Sequence, residues 1–215
     1  MPLPIDLFIF DFDGTLADSI PAAVKSIQAM ILELGFAPKT DEEIFKFVGY
    51  GEVPLVSGAI SSKDPKVIER AMRVYFKHYL DNGIKNIKLY PGIKEILEYY
   101  KDKVKIIISN KKDEFIRLIL TEKEIIKCFD EIFGGDNAPC LKPDPCVIIK
   151  ALNKYKIKKE KALIVGDMTI DVETGRNAGI RTCAATYGFQ SKDELLQAKP
   201  DFVIDGIREL EKLFN

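Results

Sequence analysis

Five short apolar runs punctuate the chain, at residues 7–10, 104–108, 162–165, 182–185 and 202–204. Each has strand length, and most show no alternation of apolar and polar positions. Strands of that kind are buried on both faces, the pattern of a parallel sheet covered by helices. Helical periods lie between the runs. Ile93, Ile96, Leu97 and Tyr100 share a face after Pro91-Gly92. Asp144-Pro145 has the form of an N-cap and first-turn proline, with Val147, Ile148, Ala151 and Leu152 on one face beyond it. A helix over 170–178 is expected to stop at Gly179 in a left-handed cap. From about residue 90 onward the strand–helix alternation predicts a doubly wound α/β sheet with right-handed crossovers.

The interval between the first and second runs breaks this rhythm. It lacks strand signals and is rich in helix signals. Ile20, Val24, Ile27, Ile31 and Leu34 form one apolar stripe. Thr40 and Glu43 have capping-box spacing. Asp64-Pro65 opens a further helix with Ile68, Ala71, Met72, Tyr75 and Tyr79 on its face. Residues 16–84 are therefore expected to form a helical insertion with apolar stripes enough for a small bundle, and residues 1–15 and 85–215 the sheet-bearing core. The loop Val48-Gly49-Tyr50-Gly51 interrupts the insertion.

Composition narrows the function classes. In 215 residues, 47% hydrophobic content supplies a sizeable core. A net charge of -1 leaves no basic excess for nucleic acid. No apolar run approaches the length of a membrane span. The start, Met1-Pro2-Leu3-Pro4-Ile5-Asp6, lacks the pattern of a signal peptide, so a cytoplasmic location is expected. Four cysteines, Cys128, Cys140, Cys146 and Cys183, include no Cys-x-x-Cys pair, and His78 is the only histidine, which argues against zinc. A Cys140–Cys146 disulfide is conceivable, but free thiols are the expectation for a cytosolic chain. Cys183 reads as a small core residue. His78 receives no role.

The candidate chemistry sits at the ends of the apolar runs. The first ends in Asp11-Phe12-Asp13-Gly14-Thr15. Asp-Gly alone is a common turn. At the carboxyl end of a buried parallel strand, however, two carboxylates point to where ligands bind, and a cation can hold them together. The second run ends in Ser109-Asn110-Lys111, whose hydroxyl and amide can donate to phosphate oxygens or merely cap the next helix. Lys142 lies in Leu141-Lys142-Pro143-Asp144-Pro145, where two prolines fix the backbone that aims it. The third run ends in Gly166-Asp167-Met168-Thr169-Ile170-Asp171, again carboxylates at a strand end, although a helix start also favours acidic residues. Together these groups make a Mg²⁺-assisted phosphate site.

In the order Asp11-x-Asp13-Gly14-Thr15, Ser109, Lys142 and Gly166-Asp167-x-x-x-Asp171, the chain resembles the haloacid dehalogenase superfamily over almost its whole length. Tyr90-Pro91-Gly92, Ser109-Asn110-Lys111, Gly134-Gly135-Asp136, Lys142-Pro143-Asp144-Pro145 and Tyr187-Gly188 make it most similar to phosphoglycolate phosphatases and their close relatives. The resemblance implies a Rossmann-like core with a mobile helical cap. It implies that Asp11 attacks phosphorus to give an aspartyl-phosphate and that Asp13 is the general acid and base. It implies a Mg²⁺ held by the Asp11 carboxylate, the Asp13 backbone carbonyl and Asp167, with Asp171 supporting that shell or orienting Lys142. Ser109, Asn110 and Lys142 would bind the transferring phosphoryl group.

Asp13 also separates chemistries, since the dehalogenases and phosphonatases of the superfamily lack an acid there. A phosphatase acting on a small phosphorylated metabolite, such as phosphoglycolate, is the expectation. A sugar phosphomutase is the nearest alternative, and a non-catalytic phosphate-binding protein would be expected to lose motif residues. Met168 departs from the pattern, which commonly has a small hydroxyl residue after Gly-Asp. The loop Gly49-Tyr50-Gly51 could reach the leaving group and select substrate, or Tyr50 could pack between helices. Oligomeric state is not readable.

Overall fold

The structure is a computed structural model that describes residues 2–215, apart from the side chain of Asn82. The first apolar run forms strand β1 (Leu7–Phe10), buried throughout. Its alternate side chains enter different cores: Phe8 and Phe10 join one apolar cluster, Leu7 and Ile9 the other. The chain then makes the short strand β2 (Ala17–Asp18) and helices α1 (Ile20–Leu34), α2 (Asp41–Phe45), α3 (Glu52–Ile60) and α4 (Pro65–His78). It returns through helical turns at Tyr79–Gly83 and Ile84–Asn86 to β3 (Lys88–Leu89), antiparallel to β2. Beyond lie α5 (Ile93–Tyr99), β4 (Val104–Ile108), α6 (Asp113–Glu122), β5 (Glu131–Phe133), α7 (Cys146–Tyr155), β6 (Ala162–Gly166), α8 (Thr169–Ala178), β7 (Arg181–Ala185), α9 (Lys192–Gln197), β8 (Phe202–Ile204) and α10 (Leu210–Leu213).

Six strands form one parallel sheet in the order β5-β4-β1-β6-β7-β8. Helices cover both faces. Ile93, Ile96 and Leu97 of α5 and Phe115, Ile116 and Ile119 of α6 pack with Phe8 and Phe10. Val147, Ile148 and Ala151 of α7 pack with Leu7 and Ile9. This is the Rossmann-like arrangement expected from the apolar runs, with β1 central. The chain runs outward from β1 to β5 and then crosses back to β6 on the other side, so a crevice opens at the carboxyl ends beside β1. Register places Phe10 opposite Ile107 on β4 and Val165 on β6, which brings the ends of all three strands together.

The helices follow their sequence signals. Thr40 and Glu43 form a complete capping box, Asp64 accepts a hydrogen bond from the Lys66 N–H, and α1 ends at Gly35 with φ 71°. Their apolar faces do not close on one another alone: the cluster containing Val24, Ile27, Ala59 and Tyr75 runs without a break into that of the sheet. Tyr79 and Phe76 meet Phe115 of α6 at ring-centroid distances of 4.9 and 5.2 Å. His78 lies 2.8 Å from Glu33, tying α4 to α1. Contrary to the free-thiol expectation, Cys140 and Cys146 form a disulfide: the intervening loop folds back and brings their Cα atoms to 6.3 Å, within bonding range. Cys183 is buried in β7, as expected. Among the described residues no helix is long and apolar enough to cross a membrane.

Tyr100 fastens the C-terminus to this core. Its hydroxyl donates to the carbonyls of Leu210 (2.9 Å) and Phe214 (3.1 Å), while its ring lies 4.2 Å from that of Phe8. Tyr100→Phe keeps the ring and removes the donor. It should cost about 1–2 kcal/mol in urea unfolding with an unchanged m-value. An unchanged midpoint would show that these carbonyls do not need the hydroxyl.

Candidate active site

β1 continues its pairing one residue past its end, where the Asp11 N–H donates to the Val165 carbonyl at 2.9 Å. That bond fixes the Asp11 backbone at the mouth of the crevice. Asp11 Oδ1 accepts hydrogen bonds from the Phe12 N–H (2.7 Å) and from Lys142 Nζ (2.9 Å). The same ammonium lies 2.7 Å from Asp171 Oδ1. Asp171 is thus shared between two tasks: its Oδ2 accepts from the Met168 N–H at 3.0 Å, capping α8, and its Oδ1 orients Lys142. One carboxylate thus serves both the helix start and the lysine.

Asp167 is the third buried carboxylate. Thr15 Oγ1 donates to its Oδ1 (2.7 Å) and the Phe189 N–H to its Oδ2 (2.8 Å). It comes this close to the first motif because residue 14 is glycine. A Cβ at Gly14 would stand 2.0 Å from Asp167 Oδ2, and φ there is +80°. No cation lies within ion-pair reach of Asp167 among the described residues.

Asp13 takes a different environment. Its Oδ1 meets Lys111 Nζ at 3.0 Å and accepts a hydrogen bond from Ser19 Oγ. Lys111 is itself buried, with its ammonium 4.7 Å from the Tyr79 ring centroid. The acidic pair of the first motif is therefore divided, one carboxylate toward Lys142 and the other toward Lys111. Ser109 is buried at the end of β4, where its Oγ accepts from the Lys111 N–H (3.3 Å).

Asn110 differs from the expectation that its amide is offered to phosphate. Its Oδ1 accepts from the Lys142 N–H (3.0 Å), and its Nδ2 donates to the Gly49 carbonyl (3.0 Å) and, at 3.4 Å, to the Lys142 carbonyl. The amide joins the helical insertion to the Lys142 loop. Tyr50 also differs. Its side chain is 52% exposed and faces an outer groove, while Val48, Gly49 and Gly51 of the same loop line a cavity of about 50 Å³ over Asp11, Asp13, Ser109 and Lys142. The glycines draw the loop backbone so close to the core that the intervening side chain is left to point away. Lys111, Ser19 and Glu52 were not anticipated at the site. The position of Lys111, directly after Ser109-Asn110, was the one available signal. Glu52, whose carboxylate accepts from the Lys112 N–H at 2.8 Å, gave none.

Burial governs the electrostatics. It pushes Asp11 up to about 7, against the lowering effect of Lys142. Burial, then the neighbouring Asp11 and Asp171, hold Asp167 well above the carboxylate range. Burial disfavours the charge on Lys142, but Asp11 and Asp171 outweigh it and raise its pKa. The ligand oxygens of Asp11, Asp167 and Asp171 all lie within 4.8 Å of one another. One ammonium, Lys142, is shared between Asp11 and Asp171, so Asp11 and Asp167 cannot both ionise without further positive charge nearby. An all-oxygen pair short of positive charge fits a hard divalent cation such as Mg²⁺.

The family profile of the haloacid dehalogenase-like hydrolases matches residues 8–185, a span that contains Asp11, Asp13, Ser109, Lys142, Asp167 and Asp171. The chain belongs to this family. It is a phosphatase. It is 32% identical over 212 residues to phosphoglycolate phosphatase 1 of Pseudomonas aeruginosa, covering 95% of this chain and 78% of that protein. To the phosphoglycolate phosphatase of Vibrio parahaemolyticus it is 32% identical over 215 residues, covering 96% and 94%. The crystal structure of a protein from Haemophilus somnus, described as a predicted phosphoglycolate phosphatase, superposes with a TM-score of 0.91 at 26% identity and covers 97% of each chain.

The raised pKa of Asp11 makes the metal-free phosphatase pH-sensitive. The folded chain keeps a proton that the unfolded chain has lost, so stability is lost as pH rises through the window from 3.8 to about 7. Asp11→Asn removes that titration. The variant should match the parent at pH 4 and unfold roughly 3 °C or more above it at pH 8. Thermal midpoints measured with a chelator check this, and a difference that does not change with pH would mean that Asp11 ionises normally.

Proposed function

We propose that this chain is a Mg²⁺-dependent phosphate-monoester hydrolase that works through an aspartyl-phosphate on Asp11. The observation that carries the reading is the division of labour between two carboxylates two residues apart. Asp11 is buried and held by Lys142, whereas Asp13 is paired with Lys111 and Ser19. A nucleophile and a proton donor must face opposite ends of the bond that breaks, and these two have separate surroundings.

Asp11 attacks phosphorus, a bond forms from its carboxylate oxygen, and the bond to the leaving alkoxide breaks. Asp13 gives that alkoxide its proton. It then takes one from the water that attacks the aspartyl-phosphate, which restores Asp11 and releases inorganic phosphate. Lys142, aimed by Asp171, neutralises charge on the transferring phosphoryl group, and the Ser109 hydroxyl contributes a hydrogen bond. The Asp11 carboxylate, the Asp13 backbone carbonyl and Asp167 would hold the metal, which when bound neutralises negative charge on the phosphoryl oxygens and on the carboxylates. Residues 16–84 serve as a cap over the core formed by 1–15 and 85–215. The cap's Val48, Gly49 and Gly51 wall the cavity and exclude water.

The substrate is a small phosphorylated metabolite. Phosphoglycolate is the leading candidate, on the strength of the relatives' names and of a cavity of about 50 Å³ that leaves little room for a large leaving group. The test is release of inorganic phosphate from phosphoglycolate with Mg²⁺. Asp11→Asn should lower kcat by about a thousandfold or more while leaving the circular dichroism spectrum unchanged. Exhaustive chelation should abolish turnover, and Mg²⁺ should restore it. Full activity in the folded Asp11→Asn protein would place the nucleophile elsewhere, and turnover indifferent to chelation would remove the metal.

A further inference from the structure

Two concavities meet at a thin apolar wall. The inner one is the cavity of about 50 Å³ over Asp11 and Lys142. The outer one is a groove of about 720 Å³ whose lining includes Phe45, Tyr90 and Phe189. Among the described residues, Ile20, Val48 and Met168 alone line both. Each of the three is buried. They come from separate elements: Ile20 from the start of α1, Val48 from the loop between α2 and α3, and Met168 from the turn between β6 and α8.

Met168 is the adjustable member. Its N–H is anchored on Asp171 Oδ2 at 3.0 Å, so its backbone is as fixed as the catalytic groups around it. Its side chain has rotatable bonds and a soft sulfur that adapts to irregular gaps. The end of that side chain rests against the insertion. A Cβ built on Gly49 would lie 2.5 Å from the Met168 sulfur and 2.7 Å from its terminal methyl. The loop, with Gly49 at φ +91°, is thus seated on the thioether.

We propose that Met168, with Val48 and Ile20, is a partition that limits the size of the leaving group. Esters whose leaving group fits the inner cavity react with the loop seated. Longer apolar groups are turned away because Met168 fills the passage to the aromatic-lined groove, where they would otherwise extend. The position after Asp167 therefore selects substrate by bulk, although it touches none of the reacting atoms. This rests on the phosphatase reading with Asp11 as nucleophile.

The test is a series of phosphate monoesters with uncharged leaving groups, from ethyl to benzyl phosphate, assayed with Mg²⁺. In Met168→Ala the ratio of kcat/KM for benzyl to ethyl phosphate should rise about tenfold or more over the native protein, mainly through KM. Met168→Leu, of similar bulk, should keep the native ratio. Val48→Ala thins the same wall from the insertion side and should shift the ratio in the same direction, which keeps the test decisive if Met168→Ala folds poorly. An unchanged ratio in Met168→Ala or Val48→Ala, or an equal rise in Met168→Leu, overturns the partition. A native protein that releases phosphate from no ester overturns instead the reading on which the partition rests.

Discussion

Negative charge placed inside the protein is the constraint on which the rest of this structure depends. Asp11, Asp167 and Asp171 are each almost wholly buried. Carboxylates out of water are tolerated only when paired and hydrogen-bonded. Lys142 answers two of them, and Asp167 has hydrogen bonds from Thr15 and Phe189 but, among the described residues, no cation. The fold meets this constraint by geometry. Because Phe10 pairs with both Ile107 and Val165, side chains just past β1, β4 and β6 converge on one point at the mouth of the crevice. A divalent cation held as proposed by Asp11 and Asp167 would offset that concentration of charge.

The helical insertion is joined to this centre by two kinds of contact. Apolar packing is extensive and continuous with the sheet's own core, including the rings of Phe76, Tyr79 and Phe115. Such contacts are non-directional and tolerate sliding. The polar contacts at the cavity are directional: Asn110 Nδ2 to the Gly49 carbonyl, and the Lys112 N–H to Glu52. Any motion that widens the cavity must break these two bonds, whereas the apolar surface can shear. Both bonds lie at the residues that follow β4, next to Ser109 and Lys111.

What could be read from the sequence was the part that stands out against an apolar background. Asp11 and Asp167 directly follow runs with no other charge, so their placement at strand ends was legible, and Lys142 stood out between prolines. Thr40, Asp64 and Gly179 marked helix ends because capping is local. The misses depend on distant partners. β5 has only three residues, and β2 and β3 two each, too short for any period to show. The pairing of Lys111 with Asp13 spans residues far apart in sequence. The outward direction of Tyr50 follows from glycines packed against Met168 and Asn110, a contact no local pattern encodes.

Lys142 shows how a flexible side chain is made accurate. A lysine stem loses much rotamer freedom when its ammonium is held in one place, so the backbone beneath it must already be fixed. Three independent anchors fix it. Asn110, two residues past the end of β4, grips the Lys142 N–H and carbonyl. The Cys140–Cys146 disulfide closes a loop with Lys142 inside it, which restricts the conformations open to that segment. Asp171, rooted at the start of α8, holds the ammonium end. The anchors come from a strand end, a covalent link and a helix start, so displacing any one leaves the other two in place. In the proposed reaction the ammonium would meet the phosphoryl group already in position, so that the ordering cost falls on folding rather than on binding.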